Sequence, residues 1–399
     1  MTNPFPQVPY GKAVWGDAEK KAVMHVLETS TQMGKHVYEM EEKIAAFFAK
    51  KHGIMMNSGS SANYLAIEIL DLPKGSEVIT PALTFSTTVA PLVRNGLVPA
   101  FVDVDVDTFN IDVDQIESMI TNKTKLMMIP NLLGNLPDWR KIKKIAEKYN
   151  LLLIEDSADT LGATIDHQTA GRFVDISTTS FYGSHVISCA GNGGMLCVND
   201  DRLAKHAKLL RSWGRSSSLF VESEAIENRF NVDVEGIRYD AKFIFEALGY
   251  NLEPSEIGAA FGLEQLKNLQ KNIDARVHWF EKQKNFFKNY AEFFILPNQL
   301  EGSRTGWLAY PMIVKEDAPF TRTELQIFLE KRNIQTRTIF TGNILRQPGF
   351  KNIVCKRVSE YPNADRVMNG GILLACHHGL TQEMLDHVHE SAKLFLSAQ

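Results

Sequence analysis

Cysteine is scarce in this chain: Cys189, Cys197, Cys355 and Cys376 are the only four in 399 residues. None forms a C-x-x-C pair, which argues against a thiol-pair metal site or a disulfide-stapled fold and reads as buried thiols in a reducing compartment. Charge imbalance is lacking too. Against 47 acidic side chains stand 43 basic ones, a formal charge of −4, so no basic surface invites nucleic acid or a membrane. No apolar run approaches the roughly 18 residues of a membrane span, and Met1 to Phe5 does not open onto a basic-then-apolar leader; the protein is expected in the cytoplasm. Internal repeats and low-complexity tracts are missing as well. Lysine is absent from the whole stretch between Lys148 and Lys205.

What remains is an ordinary globular composition, 44% hydrophobic and 23% charged, in a chain too long for one small core. Short β-branched runs alternate with amphipathic stretches, the pattern of a mainly parallel sheet covered by helices on both faces. Candidate strands are Gly53–Asn57, Glu77–Pro81, Ala100–Asp105, Lys125–Pro130, Leu151–Asp156, Ile176–Tyr182 and Gly194–Val198. Ser61–Leu70, Asp112–Ile120 and Asp138–Tyr149 carry helical spacing. From Glu253 to about Tyr290 the pattern is continuously helical, as a connector would be. After it come a strand over Trp307–Val314, a helix over Arg322–Arg332, a strand over Gln335–Ile339 and a helix over Thr381–Leu396. The expected division is a large domain over 1–270 and a small α+β domain over 271–399. Loops that follow parallel strands are where chemistry is sought in such a fold.

Three of those loops carry suitable residues. Asn57-Ser58-Gly59-Ser60-Ser61-Ala62-Asn63 lies between a strand and a helix, where small residues present backbone N–H groups and hydroxyls to an anion; an ordinary N-capping turn looks the same. Leu151–Asp159 is an apolar strand tipped with carboxylates, and Asp156 at its end suits either a helix cap or the nitrogen of a pyridinium ring. Ser180-Phe181-Tyr182-Gly183-Ser184-His185 follows another strand, and Gly191-Asn192-Gly193-Gly194 turns the chain back. His377 and His378, just before Gly379, read as structural or substrate-facing, since no third metal ligand stands near them.

The order of these pieces, with Thr80–Thr88, Asn131–Pro137, Trp213–Arg215 and Gly249–Ser255, resembles the DegT/DnrJ/EryC1/StrS family of nucleotide-sugar enzymes over nearly the whole chain. The resemblance implies a fold type I pyridoxal-phosphate enzyme, aspartate aminotransferase-like, with a mainly parallel seven-stranded sheet. It implies that Gly59, Ser60, Ser61 and Ser180 hold the cofactor phosphate, that Asp156 contacts the ring nitrogen and that Phe85 stacks on one ring face. Asp159 stands where many transaminase relatives carry glutamine. Asn251 would reach the phosphate of a neighbouring subunit, which makes the active unit a homodimer. Arg211, Arg215 and Arg337 are candidates for the diphosphate of a nucleotide sugar. No metal ligand set is implied.

Family transaminases bind the cofactor through a lysine at the position of His185, and the lysine-free stretch around it leaves no substitute. Imidazole forms no stable imine but moves protons near neutrality. The exchange resembles two dehydratase groups in which pyridoxamine phosphate, not covalently held, assists loss of the C3 hydroxyl from a nucleotide-linked 4-keto-6-deoxyhexose. One is the colitose type, with glutamate restoring the pyridoxamine form. The other is an iron-sulfur type that needs cysteine ligands and a reductase; the segment after Trp213-Gly214-Arg215 is Ser216-Ser217-Ser218, where that type would carry cysteine. A catalytically silent scaffold is the third reading. GDP, CDP and dTDP all stay open as the nucleotide.

Overall fold

A computed structural model describes residues 5–220 and 225–399. Its main sheet has seven strands: β1 (His52–Met56), β2 (Glu77–Pro81), β3 (Val98–Val102), β4 (Thr124–Pro130), β5 (Leu152–Ser157), β6 (Ile176–Ser180) and β7 (Gly194–Val198), ordered β1-β7-β6-β5-β4-β2-β3. β7 runs antiparallel to both its neighbours, and every other pairing is parallel. The seven expected strands are all present, displaced by at most a few residues. Burial on both faces explains why they read as unbroken apolar runs. One face packs on the helix Gly59–Glu68 through Ile54, Leu126, Ile154 and Leu196, and the other packs on the helix Trp139–Tyr149 and on the helix Lys35–Phe47.

A second, three-stranded sheet joins Phe294–Ile295, Tyr310–Val314 and Gly371–Leu374, all antiparallel. The helix Leu269–Phe287 drives Phe280 and Phe287 into a core that also contains Trp307 and Tyr310 from this region, Phe101 from the main sheet, and Leu83 and Val89 from the segment between β2 and β3. The two sheets thus share one continuous apolar core.

Three expected elements differ. Asp112–Ile120 is a 3₁₀ helix over Val113–Met119, capped by Asp112, and it buries Ile116 and Met119, three positions apart, which suits a tighter winding than an α-helix. The connector is two helices, Glu256–Leu266 and Leu269–Phe287, because the amides of Lys267 and Asn268 turn to carbonyls three residues back and close the first helix. Gln335–Ile339 is not a strand. Its backbone is divided between Val8 on one side and Leu373 on the other, so no ladder runs along it.

Candidate active site

The carboxyl ends of β4, β5 and β6 open into a cavity of about 420 Å³, lined among others by Tyr10, Gly59, Ser60, Phe85, Asp156, Asp159, Ser180 and His185. That is room for a small organic ligand. Its floor follows from two close approaches. A Cβ on Gly59 would lie 2.6 Å from the Ser180 Cβ, and one on Gly194 would lie 2.3 Å from the Ser58 carbonyl carbon. Only hydrogen fits at either point, so the start of the helix Gly59–Glu68 is pressed against the tips of β6 and β7. Ser58 caps that helix by accepting from the Ser61 amide. Ser60 and Ser180 face the cavity. Ser61 donates its hydroxyl to Asn57 at 2.7 Å and is not among the lining residues, so the groups there that could meet an anion are backbone N–H groups at the helix start and the Ser60 and Ser180 hydroxyls.

Asp156 is buried at the end of β5. It accepts from Asn63 at 2.7 Å, Thr88 at 2.8 Å and the Ala158 amide at 3.1 Å. None of these partners carries charge, and desolvation pushes the carboxyl up despite them. A buried carboxylate without a cation is costly; a ligand bearing a protonated ring nitrogen would supply one. With the anion cradle at one end, the cavity suits a pyridoxal phosphate derivative, with Phe85 half-exposed at its rim against Phe340.

Asp159 lies beyond Asp156. Its Oδ2 accepts from the Leu133 amide at 2.9 Å, and Leu133 adopts a left-handed backbone (φ 58°), uncommon for a branched residue, to present that N–H. Burial, and then the neighbouring Asp156 charge, push Asp159 up to about 7. Its Oδ1 is 4.0 Å from His185 Nε2. The His185 Nδ1 donates to the Ser180 carbonyl at 3.2 Å, which leaves Nε2 with its lone pair free. Burial, and the nearby Arg276 cation, hold the imidazole down at about 4. His185 is therefore neutral across the physiological range and able to accept a proton.

Two side chains of the helix Leu269–Phe287 brace the histidine. Arg276 donates to the carbonyls of Ser184 (3.1 Å), Trp307 (3.0 Å) and Leu308 (3.0 Å), and Asn272 donates to Val186 at 2.9 Å. The residues on both sides of His185 are thus pinned. Arg276, Asn272, Asn63, Thr88 and Tyr10 went unread in the sequence, although Asn63 and Thr88 lie within segments that drew attention.

The remaining expected residues scatter. Arg211 is 1% exposed and donates to Glu41 and the Met55 carbonyl. Its Nη1 is held in a buried pair, and Arg211 does not line the cavity. Arg215 stacks 4.3 Å from the Trp213 ring, outside the cavity. Arg337 lies over the ring of Tyr10 at 5.4 Å. Asn251 is exposed and does not line the cavity of its own chain. His377 Nε2 donates to the Pro9 carbonyl at 3.0 Å and is likewise no lining residue. Among the described residues no three His, Cys, Asp or Glu side chains converge as a metal-binding group, and no helix is long and apolar enough to cross a membrane.

Fold and cavity define a fold type I, aspartate aminotransferase-like protein. Residues 15–393 match the DegT/DnrJ/EryC1/StrS aminotransferase family, and the chain belongs to it. It is 38% identical over 391 residues to the lipopolysaccharide biosynthesis protein RfbH of Salmonella typhimurium, covering 95% of this chain and 89% of that one. It is 34% identical to a GDP-4-keto-6-deoxy-D-mannose 3-dehydratase of Yersinia pseudotuberculosis, covering 92% and 94%. Among solved structures, the E. coli GDP-4-keto-6-deoxy-D-mannose-3-dehydratase with bound hydrated PLP superposes with a TM-score of 0.85 at 30% identity, over 97% of this chain and 100% of that one.

Proposed function

We propose that this chain is a pyridoxal/pyridoxamine phosphate-dependent hydro-lyase that removes the C3 hydroxyl of a nucleotide-linked 4-keto-6-deoxyhexose, giving a 3,6-dideoxy-4-keto sugar, with glutamate restoring the amine form of the cofactor. The observation that carries the reading is His185: a neutral, braced imidazole in the cavity, in a loop without lysine. Relatives named as 3-dehydratases and a neighbouring structure with hydrated PLP support it.

The cofactor, held without a covalent bond, supplies an amine for the 4-keto carbon and a ring that draws off electrons. The chain does the rest. Gly59, Ser60 and Ser180 would hold its phosphate, Asp156 would keep its ring nitrogen protonated, and Phe85 would cover one face. His185 Nε2 would accept a proton at the amine-bearing carbon and return one to the C3 hydroxyl as it departs. Asp159, pushed up to about 7 by burial, retains part of its proton at neutral pH and lies beside that imidazole. Arg215 and Arg337 remain candidates for the diphosphate.

Hydrolytic release, without added electrons, is favoured over the iron-sulfur route by the donor set. Cys189, Cys197 and Cys376 are buried, their thiols pushed up by desolvation, and serines occupy 216–218. The same free cysteines suit the cytoplasm. A homodimer is supported by Leu248, three residues before Asn251 in the chain, whose apolar side chain is 95% exposed. The test is purified protein with pyridoxamine phosphate, glutamate and a panel of nucleotide-linked 4-keto-6-deoxyhexoses, with and without a reductase. Turnover with ammonia release and no reductase is expected. Formation of an amino sugar, or complete dependence on a reductase, overturns the reading.

A further inference from the structure

The first described residues of the chain do not trail into solvent. Val8 donates to the Asn333 carbonyl and accepts from the Gln335 amide, both at 2.9 Å. The Tyr10 amide donates to Gln335 Oε1 at 3.1 Å, His377 Nε2 meets the Pro9 carbonyl at 3.0 Å, and Gln265 donates to the Val14 carbonyl at 2.9 Å. Between these ties, Gly11 lies so close to Ser184 that a Cβ would come within 2.7 Å of the serine Cβ. Residues 8–14 are therefore a strap fastened to four separate parts of the fold, and it presses on the residue before His185.

The strap places one side chain in the cavity, Tyr10. Its ring lies under Arg337, and Asp159, Arg276 and Cys376 are its other ionisable neighbours. Burial first, then Asp159, keep the phenol protonated well beyond neutrality. Among the described residues nothing hydrogen-bonds its hydroxyl, although its amide and the Pro9 carbonyl before it are both held. A fixed phenol that has an O–H to give and no protein acceptor is poised for a ligand.

We infer that Tyr10 is a substrate-positioning residue, whose hydroxyl donates to an oxygen of the bound hexose and sets the departing hydroxyl against His185. This rests on the proposed function and names a residue for it. Tyr10 interacts with Asp159, whose Oδ1 is 4.0 Å from His185 Nε2, so the phenol lies on the histidine's side of the cavity, where the carbon skeleton of the substrate would react. A hydroxyl-rich hexose suits a neutral donor. A carboxylate such as that of glutamate would be met by the guanidinium groups near this phenol, Arg337 and Arg276, and not by the phenol itself.

The experiment compares Tyr10→Phe with the unaltered protein in two half-reactions: conversion of the pyridoxal to the pyridoxamine form by glutamate, followed by cofactor absorbance, and turnover of the nucleotide-linked hexose. Phenylalanine keeps the ring that packs beneath Arg337. The expected result is a fall in kcat/KM for the hexose that exceeds any fall in the glutamate reaction by about tenfold, the worth of one hydrogen bond realised with substrate. Gly11→Ala, which displaces the strap, should move the same ratio in the same direction. If the hexose is turned over and Tyr10→Phe lowers both half-reactions equally, or neither, the inference fails while the proposed function stands. If the unaltered protein accepts glutamate but dehydrates no hexose, both fail.

Discussion

Replacing Asp159 with asparagine should stabilise the cofactor-free protein, and do so more at high pH than at low. The carboxyl goes from an ordinary 3.8 to about 7 because it is buried beside Asp156. In the unfolded chain it ionises near pH 4, whereas in the native state it keeps its proton until about 7. Native protein then binds more protons than unfolded protein across that window, so its stability declines as pH rises, and the loss is complete above about 7. A gap of roughly three pH units amounts to about 4 kcal/mol when fully expressed. Asparagine still accepts from the Leu133 amide but carries no charge to desolvate. Between about pH 5 and pH 8 the stability advantage of Asp159→Asn should therefore widen by roughly 2.5 kcal/mol. Any pH-independent cost of the substitution cancels in that difference. Urea unfolding of both cofactor-free proteins at the two pH values reads it directly. An advantage that does not change with pH, or shrinks as pH rises, refutes the electrostatic account of this pair of carboxyls.

His185→Asn should retain cofactor binding, seen by absorbance, while hydroxyl loss falls by on the order of a hundred- to ten-thousand-fold; dehydration at an unchanged rate would remove the histidine from the mechanism. His185→Lys should form a covalent adduct with pyridoxal phosphate, with visible absorbance and trapping by borohydride, and failure to do so would mean that the cavity is misread. Because burial holds His185 down at about 4, the acidic limb of the kcat/KM profile should fall as pH drops through about 4 instead of 6.5; a limb at the ordinary imidazole value would contradict the buried geometry. Gly59→Ala, whose methyl would meet Ser180, should weaken pyridoxal phosphate binding at least tenfold by equilibrium titration, an order of magnitude that follows from the loss of one or two phosphate contacts.

Much of the fold and part of the site were legible from residue order. β2 and β7 agree residue for residue with the runs Glu77–Pro81 and Gly194–Val198, because a strand buried on both faces must be apolar along its whole length. Asp156 at a strand tip, the glycine-serine turn and the lysine-free stretch are local features, visible without coordinates. Other features depend on what comes together in space. Arg211 and Arg276 look alike in sequence, yet one is locked to Glu41 and the other braces His185. Tyr10 is separated from Gln335 by 325 positions, and no local pattern links them.

The sequence by itself determined the alternation of strands and helices, the residue types available at each loop and the absence of lysine between Lys148 and Lys205, since these depend only on neighbours along the chain. Tertiary structure alone decided which charges are spent in buried pairs, how far burial moves Asp159 and His185 in opposite directions, and that the beginning of the chain forms a wall of the cavity. Desolvation and long-range contact depend on what surrounds a group in space, and that surrounding exists only once the chain has folded.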